Sequence, residues 1–490
     1  MPADSDLWRP RSGLVLAPLA FAAVWAAPLA LAPPAHKLAA VLAAVIVLWV
    51  TEAIPMAMTA LLGVAAAVVL RVAPAVEAFA PFADPIIFLF VGTFMLAQAI
   101  FFHGLDRRFA FAVLGLRGVG NRPGRVLLAY ALVACATSMW ISNTATVAMM
   151  FPIGVSLLAT LEKAGAAARS RYGAALLLST SFAASIGGLG TPVGTPPNLI
   201  GIGFIRRETG VDVPFFAWMA LGVPVVALLF ASSVASLWRA GATGAPAMDG
   251  IARLVAAERR ALGAWTAGQV NTMVAFGVTV ALWVLPGLAA LVLGSGHPLH
   301  AALAATLPEG VVALIGAGLL FLLPTDLRRH RFTLPWDEAV KIDWWIVFLY
   351  GGGMALGTLA FRTGLAEALG RGLTGALGVH TGFGLICVAT ALATVLSETT
   401  SNTASANMVV PVVIAVARSA GLDPVLPAVA ATMGASLGFM LPVSTPCNAI
   451  VYGSGRIPLR TMMRHGALLD VAGVVAIVAV VDLLGPLVLR

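Results

Sequence analysis

The sequence predicts an all-α polytopic membrane protein assembled from two inverted repeats. Three features predict it: the shortage of charge, the continuous apolar runs, and a set of motifs that occurs twice. Of 490 residues, 60% are hydrophobic and only 10% charged, against about a quarter charged in a soluble domain. That is too little charge to make a water-facing shell. Apolar stretches at Leu14–Leu31, Val41–Val50 with Met58–Val72, Met273–Val284 and Val471–Leu489 approach the roughly 20 residues that span a bilayer. Backbone crosses hydrocarbon only as a helix or a closed barrel. The runs do not alternate, which excludes a barrel.

The chain opens with Arg9 and Arg11 before an apolar run that ends in Ala-Pro-Pro-Ala. Residues 1–35 therefore resemble a signal peptide, but further spans follow at once, and the run reads as a retained first helix. The net charge of +8 does not point to nucleic acid. Most Lys and Arg fall on alternate loops: Arg107 to Arg125, Arg239 to Arg260, Arg328 to Lys341, and Arg456 to Arg464. The long loop from Pro286 to Pro308 carries none. This is the positive-inside pattern; it places the N-terminus in the cytoplasm and the C-terminus outside, in a multi-pass protein of the cell inner (plasma) membrane. The lipid bilayer is its partner and no nucleic acid is expected. Cys135, Cys387 and Cys447 are far apart in apolar surroundings and suggest neither disulfides nor a metal knuckle. The seven His are scattered and make no cluster.

Three blocks recur in the same order. Gly92 to Gly104-Leu105 matches Gly352 to Gly364-Leu365. Ser142-Asn143-Thr144-Ala145 with Pro152 matches Ser401-Asn402-Thr403-Ala404 with Pro411. Pro192-Val-Gly-Thr195-Pro196-Pro-Asn198 matches Pro442-Val-Ser-Thr445-Pro446-Cys-Asn448. The first span runs outward-to-inward and its counterpart inward-to-outward, so the halves are inverted, as in secondary transporters with a midplane site. Residues 1–84 are expected to form N-terminal scaffold helices. Residues 85–240 form the first repeat, with a hairpin at about 126–160 and a broken helix at about 173–205. Residues 241–341 are a cytoplasmic loop and linking helices. Residues 342–490 form the second repeat and last helix, with a hairpin at about 382–417 and a broken helix at about 425–455. The total is about 11 transmembrane helices plus two re-entrant hairpins.

Three adjacent polar side chains inside an apolar segment are costly unless satisfied. An Asn side chain offers donor and acceptor together, so it serves an anion and a cation at once. A hairpin turning at Ser142 opens a helix whose free N–H groups and dipole face an anion. Two such tips from inverted halves suit the two ends of a dicarboxylate. The Gly- and Pro-rich blocks cannot continue a helix, and unwound backbone at membrane depth lines a cavity or protein. Its carbonyls are hard ligands for an alkali cation. The charge map leaves no Lys or Arg in the membrane core, so bound sodium ions would offset the dianion. Gly187–Gly194 is not a phosphate loop, since no Lys-Ser/Thr follows. Gly351-Gly352-Gly353 reads as close helix packing. Glu398 reads as a support behind the second hairpin, with a proton carrier as the alternative. Asp470 and Asp482 read as interfacial, near the ends of the last span.

These residues resemble the divalent anion–sodium symporters, which include dicarboxylate, citrate and sulfate carriers. The resemblance rests on Trp49-Val-Thr-Glu-Ala-Ile-Pro55, both Ser-Asn-Thr motifs, Gly194-Thr-Pro-Pro-Asn198 and Ser444-Thr-Pro-Cys-Asn448. It implies a homodimer and an elevator-type transporter, in which a domain with two re-entrant hairpins moves against a scaffold. It places the substrate on Ser142, Asn143, Thr144, Ser401, Asn402, Thr403, Thr445 and Pro446, with Thr195 and Pro196 nearby. It places one sodium ion on Ser138, Ser142, Asn143 and Gly194, and another on Ser397, Thr400, Asn402 and Ser444. The family often has Thr where Ser397 stands; the hydroxyl is kept. Sulfate carriers often hold a large soluble insert that is absent here, which favours C4-dicarboxylates such as succinate, malate or fumarate. The coupling ions are sodium and no organic cofactor is implied. A sodium-independent exchanger, or a carrier for citrate or sulfate, is the alternative. An intramembrane enzyme is not supported, because no His-Glu-x-x-His or Asp-rich motif occurs.

Overall fold

The computed structural model describes residues 8–489, apart from 117, 120–121, 160–165, 243–249, 295 and 378–380. Among the described residues the chain is mostly helical, with one short antiparallel pair of strands, Pro324–Asp326 against Arg331–Phe332. Among the described residues, seven helices are long and apolar enough to cross a membrane, and a pair bent by 61° makes up to eight. These include Pro33–Thr51, Pro85–Phe102, Trp344–Arg362 and Leu459–Val488. Shorter apolar helices, Pro123–Ser138 and Asn143–Ala159 among them, are 10–17 residues long and fall short of a full span. Large apolar side chains face outward all round, among them Val76, Leu291, Val292 and Leu487. Such a surface suits hydrocarbon rather than water.

Chain breaks fall where Gly, Pro and capping residues require them. Pro85–Phe102 is capped by Asp84, whose side chain accepts from the Ile86 amide at 2.9 Å. It ends at Gly104, and Trp344–Arg362 ends at Gly364; both glycines are left-handed (φ 65° and 78°). Each turn starts a helix, Leu105–Leu114 and Leu365–Leu377 respectively. The repeated Gly-Leu pair is therefore a turn that only glycine takes without strain.

Four helix pairs follow, each with its partner across the repeat. The first hairpin is Pro123–Ser138 and Asn143–Ala159; the second is Gly382–Thr399 and Asn402–Ser419. The first broken helix is Ala166–Gly188 and Pro196–Thr209; the second is Val425–Gly434 and Pro446–Tyr452. Residue 160, at the expected end of the first hairpin, and 243–249, in the expected cytoplasmic loop, lie outside the described residues.

The two largest of five apolar clusters among the described residues hold these elements. The smaller joins Pro33–Thr51 and Met56–Val69 to Trp344–Arg362 through Leu38, Val45, Trp49, Val64, Leu349 and Leu356. The larger runs through both hairpins, both broken helices and the last helix, with Tyr130, Phe182, Trp218, Ile414 and Phe439 buried in it. Gly351, Gly352 and Gly353 lie against Phe82, Ala60 and Asn407, where any β-carbon would collide. The triple glycine is thus a seam between the two cores.

Candidate functional site

The two Ser-Asn-Thr motifs form the tips of the two hairpins. At the first, the Ser138 hydroxyl donates to Asn143 Oδ1 at 2.7 Å, and Ser142 Oγ accepts from the Ala145 amide at 3.3 Å. At the second, Ser397 donates to Asn402 Oδ1 at 2.8 Å, and Ser401 Oγ accepts from the Ala404 amide at 3.2 Å. Serine caps the helix in each case. The clasp five residues upstream fixes each Asn with its carbonyl oxygen turned inward.

Each tip faces the unwound stretch of its own repeat. Asn198 Nδ2 donates to the carbonyls of Gly188 and Thr191, both at 2.8 Å. Asn448 Nδ2 donates to those of Gly438 and Leu441, at 3.0 and 2.9 Å. The Asn that closes each Thr-Pro-x-Asn block therefore braces the non-helical backbone before it. A β-carbon on Gly188 would stand 2.5 Å from Asn143 Oδ1; one on Gly438 would stand 3.3 Å from Asn402 Oδ1. The glycines let backbone approach the amides closely. The donors gathered there are hydroxyl, amide and carbonyl oxygens, hard ligands of the kind an alkali or alkaline-earth ion takes.

The halves meet across this region. Ser181 Oγ donates to Asn448 Oδ1 at 2.6 Å. Pro446–Tyr452, with Cys447 buried, packs against Ala166–Gly188 and Asn143–Ala159, and the Phe182 and Phe439 rings meet edge-on at 5.6 Å. Cys447 is thus part of the contact between repeats. Thr144 and Pro446 are exposed, whereas Thr195, Thr403, Ser444 and Thr445 are buried. Ser142, Asn143, Pro196, Ser401 and Asn402 are half-buried. Thr400 donates to the Leu396 carbonyl at 2.8 Å, and the Gly194 amide to the Thr191 carbonyl at 3.3 Å. Among the described residues no hydrogen bond joins 142–144 directly to 401–403. Two cavities, one along Thr137, Trp140 and Ile141 and another between Leu42 and Met408, lie beside the tips and include neither motif.

Glu398 supports the second unwound stretch from behind. Its carboxylate accepts from the Met440 and Leu441 amides at 2.7 and 3.2 Å and from Ser444 Oγ at 2.6 Å. This geometry matches the supporting role.

Two residues differ from their sequence reading. Asp470 is not interfacial: it is buried (7% exposed) inside the Leu459–Val488 helix and faces Glu398. Asp482 on the same helix is half-buried. Nor are the tips free of cationic side chains. Arg9 donates to the Thr399 carbonyl at 2.7 Å and to that of Val50 at 3.1 Å, beside the second tip. Ser401 Oγ also donates to Met56 Sδ at 3.2 Å. The Trp49–Pro55 motif is the break between the helices Pro33–Thr51 and Met56–Val69, closed by the Trp49 indole on the Met56 carbonyl at 3.1 Å. Glu52 there is left-handed (φ 51°). Nothing local marks Arg9, because its partner lies 390 residues away.

The likeness to known proteins is broad. The sequence pattern of the sodium:sulfate symporter transmembrane region matches residues 6–489. The sodium-dependent dicarboxylate transporter SdcS of Staphylococcus saprophyticus is 33% identical over 448 residues, 90% of this chain and 84% of that one. Its namesake in Staphylococcus aureus strain USA300 is 30% identical over the same share of each. The solved YdaH transporter of Alcanivorax borkumensis superposes over 98% of both chains with a TM-score of 0.52 at 15% identity, a likeness of fold. The chain belongs to the sodium:sulfate symporter family and is a membrane transporter, not an enzyme.

Proposed function

We propose that this chain couples the entry of sodium to the uptake of C4-dicarboxylates such as succinate, malate and fumarate. The observation that carries the reading is the mirrored clasp: Ser138 on Asn143 and Ser397 on Asn402, each beside a glycine-lined unwound segment. The relatives named as sodium-dependent dicarboxylate transporters support it.

In this reading one carboxylate meets Ser142, Asn143 and Thr144 and the other Ser401, Asn402 and Thr403. Thr195, Pro196, Thr445 and Pro446 shape the space between. The 17- and 18-residue helices that start at Asn143 and Asn402 point their positive ends at the anion. Ser138, Ser142, Asn143 and Gly194 hold one sodium ion; Ser397, Thr400, Asn402 and Ser444 hold the other. Each Asn turns its carbonyl oxygen to the cation and its amide group to the substrate, so neither binds well without the other. Arg9 adds a fixed positive charge near the second tip.

Transport follows an elevator. The hairpins, broken helices and last helix move as one body against a scaffold that includes residues 1–84, and the scaffold makes the homodimer. The architecture in this reading has about 11 spans and two re-entrant hairpins, beyond the seven long apolar helices among the described residues, because several of its segments are short. The triple-glycine seam and the Arg9 and Met56 contacts lie along the sliding surface.

Reconstituted succinate uptake tests this. Uptake should require an inward sodium gradient and should be inhibited more by malate than by citrate or sulfate. Equal uptake into succinate-loaded vesicles without sodium would instead identify an exchanger.

A further inference from the structure

One contact of the second hairpin tip reaches outside its own repeat, and transport as described gives it no task. Arg9 stands in the first turn of the helix Trp8–Ala26. Its Nη2 donates to the Thr399 carbonyl at 2.7 Å and its Nε to the Val50 carbonyl at 3.1 Å. Thr399 is the last residue of Gly382–Thr399, and Val50 stands one residue before the end of Pro33–Thr51. Both carbonyls therefore belong to final helical turns, where amides of the same helix have run out and the dipole is negative. Two negative helix ends meet here, and one guanidinium lies between them.

The neighbouring residues fix this arrangement. Gly13, one turn after Arg9, lies so close to Thr51 and Ala53 that a β-carbon would collide. The first helix thus packs on the end of the second and aims Arg9 at it. After the same break, Met56 Sδ accepts from Ser401 Oγ at 3.2 Å, which ties the tip down a second time. The first tip has no such seat. Trp140 there packs on the rings of Phe215 and Phe276, and among the described residues no charged side chain bonds to 138–144.

The charge map puts Arg9 and residues 50–56 on the cytoplasmic side and the start of the second hairpin outside. A tip that enters from outside and rests on the inner break belongs to a carrier turned toward the cytoplasm. We propose that Arg9 is a positioning residue, a latch that seats the second tip on residues 50–56 and favours the inward-facing arrangement. Outward sliding draws the Thr399 carbonyl off the guanidinium while Val50 stays in place. The latch rests on the elevator reading of transport. A site competent at one face for only a fraction of the time binds there more weakly by that fraction. The latch therefore weakens apparent sodium affinity outside and strengthens it inside.

Succinate transport in right-side-out and everted membrane vesicles, with sodium varied at the outward surface of each, tests this. Arg9→Gln should lower the half-maximal sodium concentration severalfold in right-side-out vesicles and raise it in everted ones. Arg9→Lys keeps the charge and loses the planar fork. It should shift both midpoints in the same senses by less, and it serves if the Gln variant is not monodisperse. A charge acting directly on a sodium site would move both midpoints the same way. Lost packing alone would lower the maximal rate and move neither. Either result in a folded variant, or shifts of the opposite sense, overturns the inference. Sodium-independent uptake by wild type would overturn the sodium-coupled reading instead, and the succinate midpoints in the two vesicle types would then report the latch.

Discussion

Asn143 and Asn402 hold the same place at the two hairpin tips, and each is held by one serine hydroxyl. Removing either amide takes away a hydrogen bond to a charged group, which is worth about 1.5–3 kcal/mol. Asn143→Ala and Asn402→Ala should each lower succinate uptake by about tenfold to a hundredfold, with unchanged elution on size exclusion. Ser397→Ala keeps the Asn but loses its clasp. It should raise the sodium concentration needed for half-maximal uptake by severalfold and leave the maximal rate nearly intact. Gly188→Ala pushes a methyl group onto Asn143 Oδ1 and should lower uptake as much as loss of the amide does. At this scale the tips were legible because polar residues stand out against an apolar background. Arg9 and Asp470 were not: one hid in a charge map and the other on a long apolar helix. Their meaning comes from partners distant in the sequence, Thr399 and Glu398.

Among the elements, the breaks were the readable part. Proline and glycine state where a helix stops, and Gly104, Gly364, Pro196 and Pro446 stand at such boundaries. Span counting was harder. Half-helices of 10–17 residues are too short to register as crossings, so a count by length falls below one made from the repeat. The turn at Gly364 carries a specific expectation. Gly364→Ala puts a β-carbon into left-handed backbone at a cost of roughly 1–2 kcal/mol, which a lowered thermal midpoint in detergent should reveal while substrate affinity stays unchanged.

Across the whole molecule, an ion pair ties the first broken helix to the start of Pro85–Phe102. Arg206, at the end of the first broken helix, reaches Asp84 at 2.8 Å, and Tyr350 donates to the same carboxylate at 3.3 Å. The pair is only partly exposed, Arg206 by 32% and Asp84 by 10%, and a pair open to solvent at one side contributes about 1 kcal/mol. Arg206→Gln should therefore change the turnover of uptake by no more than about fivefold and leave succinate affinity as it is. A large loss of affinity would place Arg206 in the site instead. The repeated motifs gave the order of these helix pairs in outline. What they could not give was the broken symmetry, where Met139 after Ser138 takes the place of Glu398 after Ser397.

Joint binding of a dianion and sodium at the two mirrored asparagines is tested most directly by calorimetric titration of succinate into purified protein. In sodium, wild type should bind succinate, and Asn143→Ala and Asn402→Ala should show no measurable heat; in choline, none of the three should. Undiminished binding by both variants, or equal wild-type affinity in choline, would contradict it.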